Sequence, residues 1–182
     1  MFIRSERLFL RPGWPEDWEE VYAGIADEAV VRNLARAPWP YRPENAQSFL
    51  AAPRGNDRYP NFLVTLAGDG RVIGGMGLHL QDDGQTELGY WLARAHWGRG
   101  YATEAARAVL SLARTLGHRR VEAGRFVDNP ASGRVLVKVG FRPTGRTRPR
   151  FCVARGHEVE SVEYAAELGD CETGAMPVKH AA

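Results

Sequence analysis

One stretch limits the possible folds more than any other: Glu87 to Ala106, ELGYWLARAHWGRGYATEAA, where a strand pattern runs through two glycines into a helix pattern. Leu88, Tyr90 and Leu92 alternate with Glu87, Gly89 and Trp91, the period of a half-buried strand. Past the basic connection Ala93 to Trp97, residues Ala102, Ala105, Ala106, Val109, Leu110, Leu112, Ala113 and Leu116 recur at helical spacing, which predicts a one-sided helix that stops at Gly117. That helix starts without a cap. Its first amides have no intrahelical partners, and no Ser, Thr, Asp or Asn stands between Ala93 and Gly100 to accept from them. Gly98 and Gly100 instead let a ligand approach the backbone, with His96 and Arg99 beside them. Free amides, the positive end of a helix dipole and nearby cations describe an anion site, most naturally for phosphates. Taken singly, each glycine is better explained as a tight turn ahead of a core helix.

Other phosphate motifs fit less well. Nothing matches the P-loop G-x-x-x-x-G-K-[ST]. Gly98-x-Gly100-x-x-Thr103 approaches a dinucleotide fingerprint, and Glu122 stands near the roughly 20-residue spacing expected of its acidic partner. Its third small residue is Thr, however, and five residues separate the strand from Gly98, so a dinucleotide-dependent enzyme is the weaker reading.

The run Trp97-Gly98-Arg99-Gly100-Tyr101-Ala102-Thr103-Glu104-Ala105 resembles motif A of the GNAT N-acetyltransferase superfamily, Q/R-x-x-G-x-G/A, with Gly100 and Ala102 in the small positions and Trp97 where many members carry Gln or Arg. The form WGxGYATEA is typical of the RimJ/RimL-like branch, which acetylates ribosomal-protein N-termini. Asn129-Pro130-Ala131-Ser132, followed by Lys138-Val139-Gly140-Phe141, resembles motif B of the same superfamily. Together the likeness covers nearly the whole chain. It implies acetyl-CoA as co-substrate, held by Leu92, Trp97, Gly98, Arg99, Gly100, Tyr101, Ala102, Thr103, Asn129 and Ser132. It implies further that Asn129 contacts the pantetheine arm and that Ser132 lies near the sulfur. Helix capping explains Asn129 as well, and the two roles are compatible. Many members carry a tyrosine seven residues after the Asn that protonates the departing thiolate; here Leu136 stands there. Ser132 is then the candidate acid, with water or electrostatic stabilisation of the thiolate as alternatives.

Acetyl transfer to an amine needs a neutral nitrogen, whereas free amines are mostly protonated near neutral pH, so a base is useful. Glu87 matches a glutamate that serves as base in some members; partnership with an arginine or plain solvation is an equal reading. Trp39, Tyr41 and Trp91 are candidates to line the acceptor pocket, with core packing the alternative for Trp91. Glu104 and Arg107, three apart on the helix, read as an ordinary ion pair. His79, His96, His118, His157 and His180 show no ligand spacing, and no metal is expected. Neither Cys152 nor Cys171 lies in a nucleophile or metal motif, which favours direct transfer in a ternary complex.

At 182 residues the chain is one domain by length, and its formal charge of +2 argues against strong nonspecific nucleic-acid binding. The start Met-Phe-Ile-Arg-Ser-Glu-Arg has no apolar core of a signal, and no run reaches membrane-spanning length, so a cytoplasmic protein without membrane attachment is expected. In order, the sequence predicts a strand over 7–11, helices over 15–25, 28–34 and 44–51, strands over 61–66, 71–80 and 87–92, the glycine-led helix, a strand over 120–127, a helix from Asn129 to Gly140, and final strands over 141–144 and 150–168. This is an α+β order: a single domain over 1–168 with a central mixed, mostly antiparallel sheet and helices on both faces, followed by a polar tail over 169–182. The GNAT likeness adds that the strand ending at Leu92 and the strand over 120–127 splay apart to admit the cofactor. The expected reaction is acetyl transfer to a primary amine, on a protein N-terminus or a small molecule, by a monomer or homodimer. A non-catalytic acyl-CoA sensor is the alternative that the missing tyrosine supports.

Overall fold

The computed structural model describes residues 1–52 and 57–169; the expected tail, apart from Gly169, lies outside them, as do Cys171 and His180. Eight strands form one sheet in the order β1-β2-β3-β4-β5-β6-β8-β7. They are β1 Ile3–Arg4, β2 Leu8–Arg11, β3 Asn61–Leu66, β4 Val72–Leu80, β5 Thr86–Leu92, β6 Arg120–Phe126, β7 Arg142–Cys152 and β8 His157–Glu167. The helices are α1 Trp18–Ile25, α2 Glu28–Val31, α3 Pro43–Ala51, α4 Tyr101–Thr115 and α5 Pro130–Lys138. All neighbouring strands run antiparallel except β5 and β6, which α4 connects in parallel. The expected α+β architecture is present.

The sheet separates two apolar layers. Ala105, Ala106, Val109, Leu110 and Ala113 of α4 pack with Leu78, Leu88 and Leu92 on one face, joined by Leu136 of α5. On the other face Val21 and Ile25 of α1, Val30 and Val31 of α2, and Ala46 and Leu50 of α3 pack around Trp91. β5 is therefore covered on both sides, and its expected half-buried character is corrected: Trp91 and Glu87 are buried as well as Leu88 and Leu92. A strand covered by helices on both faces hides its alternate residues too. Trp91 also explains part of the glycine run in β4, because a methyl group at Gly75 would lie 2.6 Å from its indole Nε1.

Two further differences concern the ends of the sheet. A short strand, β1, pairs in front of β2, with Ile3 opposite Leu10. β7 runs unbroken through Gly145 to Pro149, with a register irregularity between Pro143 and Thr147, where the sequence suggested a gap. Proline donates no ladder bond and is tolerated at Pro143 and Pro149 because β7 is an edge strand.

Candidate active site

The site lies where the sheet comes apart. β5 and β6 pair at a single register, Glu87 opposite Glu122, so their later residues diverge. Ala93 N–H donates to Ile73 O on the β4 side. Strand alternation then turns the peptide groups of Leu92 and Tyr90 toward the opening. Leu92 O accepts there from Trp97 Nε1 at 2.8 Å, which ties the Trp97 side chain across the connection to α4.

Gly98 and Gly100 have φ of 73° and 82°, a left-handed conformation that other residues adopt only with strain. Gly100 is the N-cap of α4, and no side chain caps the helix. The first intrahelical bond runs from Glu104 N to Gly100 O at 3.0 Å, leaving the N–H groups of Tyr101, Ala102 and Thr103 without intrahelical partners. All three residues line a cleft of about 1190 Å³, together with Gly98 and Gly100. His96 lines it too, with a buried Nδ1 that has no hydrogen bond among the described residues. Burial, and then Arg99 and Arg71, hold its pKa below the ordinary imidazole value. An uncapped helix start, open left-handed turns and an orphaned ring nitrogen fit a phosphate-bearing ligand.

Arg7 holds this turn from the bend between β1 and β2, far away in sequence. Its Nη1 donates to Arg99 O at 3.1 Å, its guanidinium lies 4.7 Å from the Tyr101 ring centre, and it pairs with Glu104 at 2.7 Å. The ion pair expected between Glu104 and Arg107 is thereby corrected. Glu104 instead accepts from Ser5 Oγ and the Arg7 backbone N–H, both at 2.8 Å, while Arg107 reaches Lys138 O at 3.5 Å. Burial opposes ionisation of Glu104, but these donors outweigh it and lower its pKa. Helical spacing made Arg107 available; the bend between β1 and β2 supplied a better-placed cation.

Across the opening, Asn129 caps α5 by accepting from Ser132 N at 3.2 Å. Ser132 Oγ lies 2.7 Å from Tyr90 OH, a hydrogen bond that spans from α5 to β5. Burial pushes the Tyr90 pKa up to about 12, with the Ser132 bond acting in the opposite sense, so the phenol stays protonated. Asn129, Ser132 and Tyr90 all line the cleft. The sequence does not single out Tyr90, because its alternation with Leu88 and Leu92 reads as core. Leu136, one helix turn past Ser132, is fully buried and faces that core.

At the far end of the cleft Glu87, only 8% exposed, pairs through Oε1 with Arg150 Nη2 at 2.5 Å. His79 stands opposite Glu87 in the β4–β5 pairing and also lines the cleft. Burial first, and then Arg36, lower its pKa, so the imidazole is neutral at neutral pH. Tyr41, buried with its pKa raised to about 12 by that burial, lines this end together with Trp91. Trp39 does not: it is 42% exposed and lies off the cleft lining, because the 38–41 loop turns Tyr41 inward instead. Arg99 is likewise outside the lining, contributing its carbonyl to Arg7.

The mouth is fastened by contacts between distant segments. Arg155 makes paired bonds to Asp128 at 2.9 and 3.0 Å and a third to Arg32 O at 2.8 Å. Val153 N donates to Ala35 O at 3.0 Å, and the buried Cys152 Sγ contacts Leu34 O at 3.4 Å. Cys152 thus anchors the 32–36 segment against the β7–β8 turn. Among the described residues no cluster of side chains is arranged to hold a metal ion, and no helix is long and apolar enough to cross a membrane.

A family model described as an acetyltransferase (GNAT) domain matches residues 7–142. The chain is 30% identical to the uncharacterized N-acetyltransferase YoaA of Bacillus subtilis over 158 residues, 80% of this chain and 85% of that protein. Among solved structures it is similar to a GNAT-family acetyltransferase from Bacillus anthracis, with a TM-score of 0.79 and 26% identity over 92% of this chain and 99% of the other. It also shares the fold of RimL, a ribosomal L7/L12 alpha-N-protein acetyltransferase solved with coenzyme A, with a TM-score of 0.74 and 19% identity over 92% of this chain and 98% of the other.

Proposed function

This chain belongs to the GNAT acetyltransferase family, and from that membership we propose that it transfers the acetyl group of acetyl-CoA to a primary amine by direct attack within a ternary complex. The observation that carries the reading is the gap between β5 and β6, which opens at one end onto the uncapped start of α4 and at the other onto Glu87. Acetyl-CoA supplies an activated thioester; the chain supplies position, charge and protons.

In this reading the amides of Tyr101 to Thr103, with Gly98 and Gly100 keeping the approach clear, hold the pyrophosphate. Asn129 is oriented toward the pantetheine arm from the start of α5. The gap-facing Leu92 N–H donates to the thioester carbonyl as negative charge develops on its oxygen. Glu87, whose Oε2 has no hydrogen bond among the described residues, takes a proton from the amine, directly or through water, with the neutral His79 beside it as the other acceptor. The Ser132 hydroxyl returns a proton to the departing sulfur, and Tyr90 fixes the hydroxyl's direction and can replenish its proton. Tyr41 and Trp91 shape the acceptor end.

The acceptor is a small-molecule amine or a protein N-terminus. Rates of CoA thiol release, measured across N-terminal peptides, amino acids, polyamines and aminoglycosides, test the assignment. Amine-dependent release with at least one class supports it. Stabilisation by CoA without release from any acceptor points to a sensor, and stabilisation by NAD but not CoA overturns the cofactor assignment.

A further inference from the structure

Glu87 and Arg150 separate the main cleft from a second cavity of about 280 Å³, lined also by Ala35, Arg36, Gln81 and Arg148. The charges at this boundary do not balance. Glu87 is matched by Arg150 at 2.5 Å, and Glu163 lies 3.3 Å from Arg148 and 3.7 Å from Arg150. That leaves Arg36, whose guanidinium has no hydrogen bond or ion pair among the described residues and which lines both cavities. Arg148 Nε and Arg150 Nη2 are buried, and neither has an N–H aligned on an acceptor despite the ion pairs. Glu163 Oε1, which faces Arg148 Nε, is likewise buried without an aligned hydrogen bond, so the surplus is one of charge: three guanidinium groups face two carboxylates, and the exposed Arg36 is the one without a carboxylate among the described residues. Glu158 and Glu160 do not redress this: β7–β8 register pairs Arg148 with Ser161 and Arg150 with Val159, so alternation sends both glutamates to the other face. Nor do Asp82 and Asp83 of the neighbouring turn line either cavity.

We infer that the acceptor carries an anionic group, a carboxylate a few atoms from its amine, which Arg36 receives with Arg150 and Arg148 behind it while Glu87 faces the amine. The inference rests on the acetyltransferase reading and narrows its acceptor. The two charges of such a molecule are complementary to the two ends of the Glu87–Arg150 boundary. A polyamine or aminoglycoside would instead bring further positive charge against the unpaired Arg36 guanidinium, a like-charge contact. Phe62, Met76, Tyr41 and Trp91, which line the cleft on the inner side of the boundary, leave room for an apolar substituent. The carboxylate can belong to a free amino acid or to an acidic side chain next to a protein N-terminus; the chemistry at Arg36 is shared.

The test compares acceptors matched in side chain, with rates referred to the concentration of neutral amine because the α-amine of an amide is the weaker base. Phenylalanine is set against phenylalaninamide, and short peptides with Glu as the second residue against the same peptides with Lys, with spermidine as a polycation. Each is assayed by thiol release with the wild type, Arg36→Ala and Arg36→Lys, and CoA affinity is measured in parallel. The wild type is expected to favour the anionic member by about tenfold in kcat/KM, the scale of one charge-assisted contact at a partly open site. Arg36→Ala brings that ratio toward unity by raising KM for the acid, with CoA affinity unchanged, and Arg36→Lys restores part of it. Preference for phenylalanine or for the Glu peptide tells which source fits the site. Equal or better turnover of the amide, the Lys peptide or spermidine overturns the inference while leaving acetyl transfer standing, as does a ratio that persists in Arg36→Ala. If none of these amines is turned over, thermal stabilisation by N-acetylphenylalanine with CoA, against N-acetylphenylalaninamide with CoA, reads the same contact. Absence of an Arg36-dependent difference there overturns the inference independently of the chemistry.

Discussion

Replacing Tyr90 with Phe removes one oxygen from a half-buried ring and breaks its 2.7 Å contact with Ser132 Oγ. The ring itself still packs beside the α4 core. Loss of one such bond costs about 0.5–1.5 kcal/mol, which for a chain of this size lowers Tm by roughly 1–6 °C. On rate the same interaction bears on whether the Ser132 hydroxyl is aimed at the sulfur, so kcat should fall about tenfold with little change in KM for acetyl-CoA. Ser132→Ala removes the proton donor itself and should lower kcat by about 10²-fold, the lower end of general-acid effects. Because Tyr90 acts through Ser132, the double variant should be no slower than Ser132→Ala alone. With the Tyr90 pKa near 12, the ratio of wild-type to Tyr90→Phe rates should stay flat across neutral and mildly alkaline pH. Initial rates and melting curves on all four proteins provide the cycle. Additive losses would refute a shared proton path, and a Tyr90→Phe enzyme with wild-type kcat would remove the tyrosine from the mechanism.

Other expectations follow from the same geometry. Gly100→Glu puts a carboxylate and a strained left-handed residue at the α4 N-cap, so CoA binding by calorimetry should be lost in a protein that still melts cooperatively; retained affinity refutes the phosphate-site assignment. Glu87→Gln should lower kcat by about 10²–10⁴-fold at neutral pH with partial recovery as pH rises. An unchanged pH profile with an earlier melt would mark it as only a brace for Arg150. His79 and His96 both have pKa values lowered from 6.5, so the unfolded chain binds more protons just below that pH and stability should fall as pH drops through about 6.5 toward their folded values. His79→Gln should flatten part of that decline in melting temperature.

What was legible in the sequence was whatever rests on local period and turn chemistry. The strand over 87–92, the one-sided helix after Gly100 and its missing cap were readable because each depends on neighbours within a few residues. Contacts set by the sheet were not. Ser5 and Arg7 reach Glu104 from about a hundred positions away, which is why the local Arg107 looked like its partner. Tyr90 sits in an apolar alternation, and only the splay of β5 from β6 exposes its hydroxyl to Ser132. Trp39 and Tyr41 share one proline-rich loop, and nothing in their order says which ring turns inward. Arg36 and Arg148 become neighbours at one mouth only after the Asp128–Arg155 contacts draw the 32–36 segment to the β7–β8 turn.

The most direct test of acetyl transfer in a ternary complex is a matrix of initial rates of CoA thiol release, with acetyl-CoA varied at several fixed concentrations of an accepted amine. The proposed direct transfer predicts release that requires the amine, with reciprocal plots that intersect, because in that reading both substrates occupy the cleft before the bond is made; among the described residues no cysteine lines it. Parallel plots would contradict direct attack by showing that acetyl reaches the protein first, and release indifferent to every amine would contradict the transfer itself.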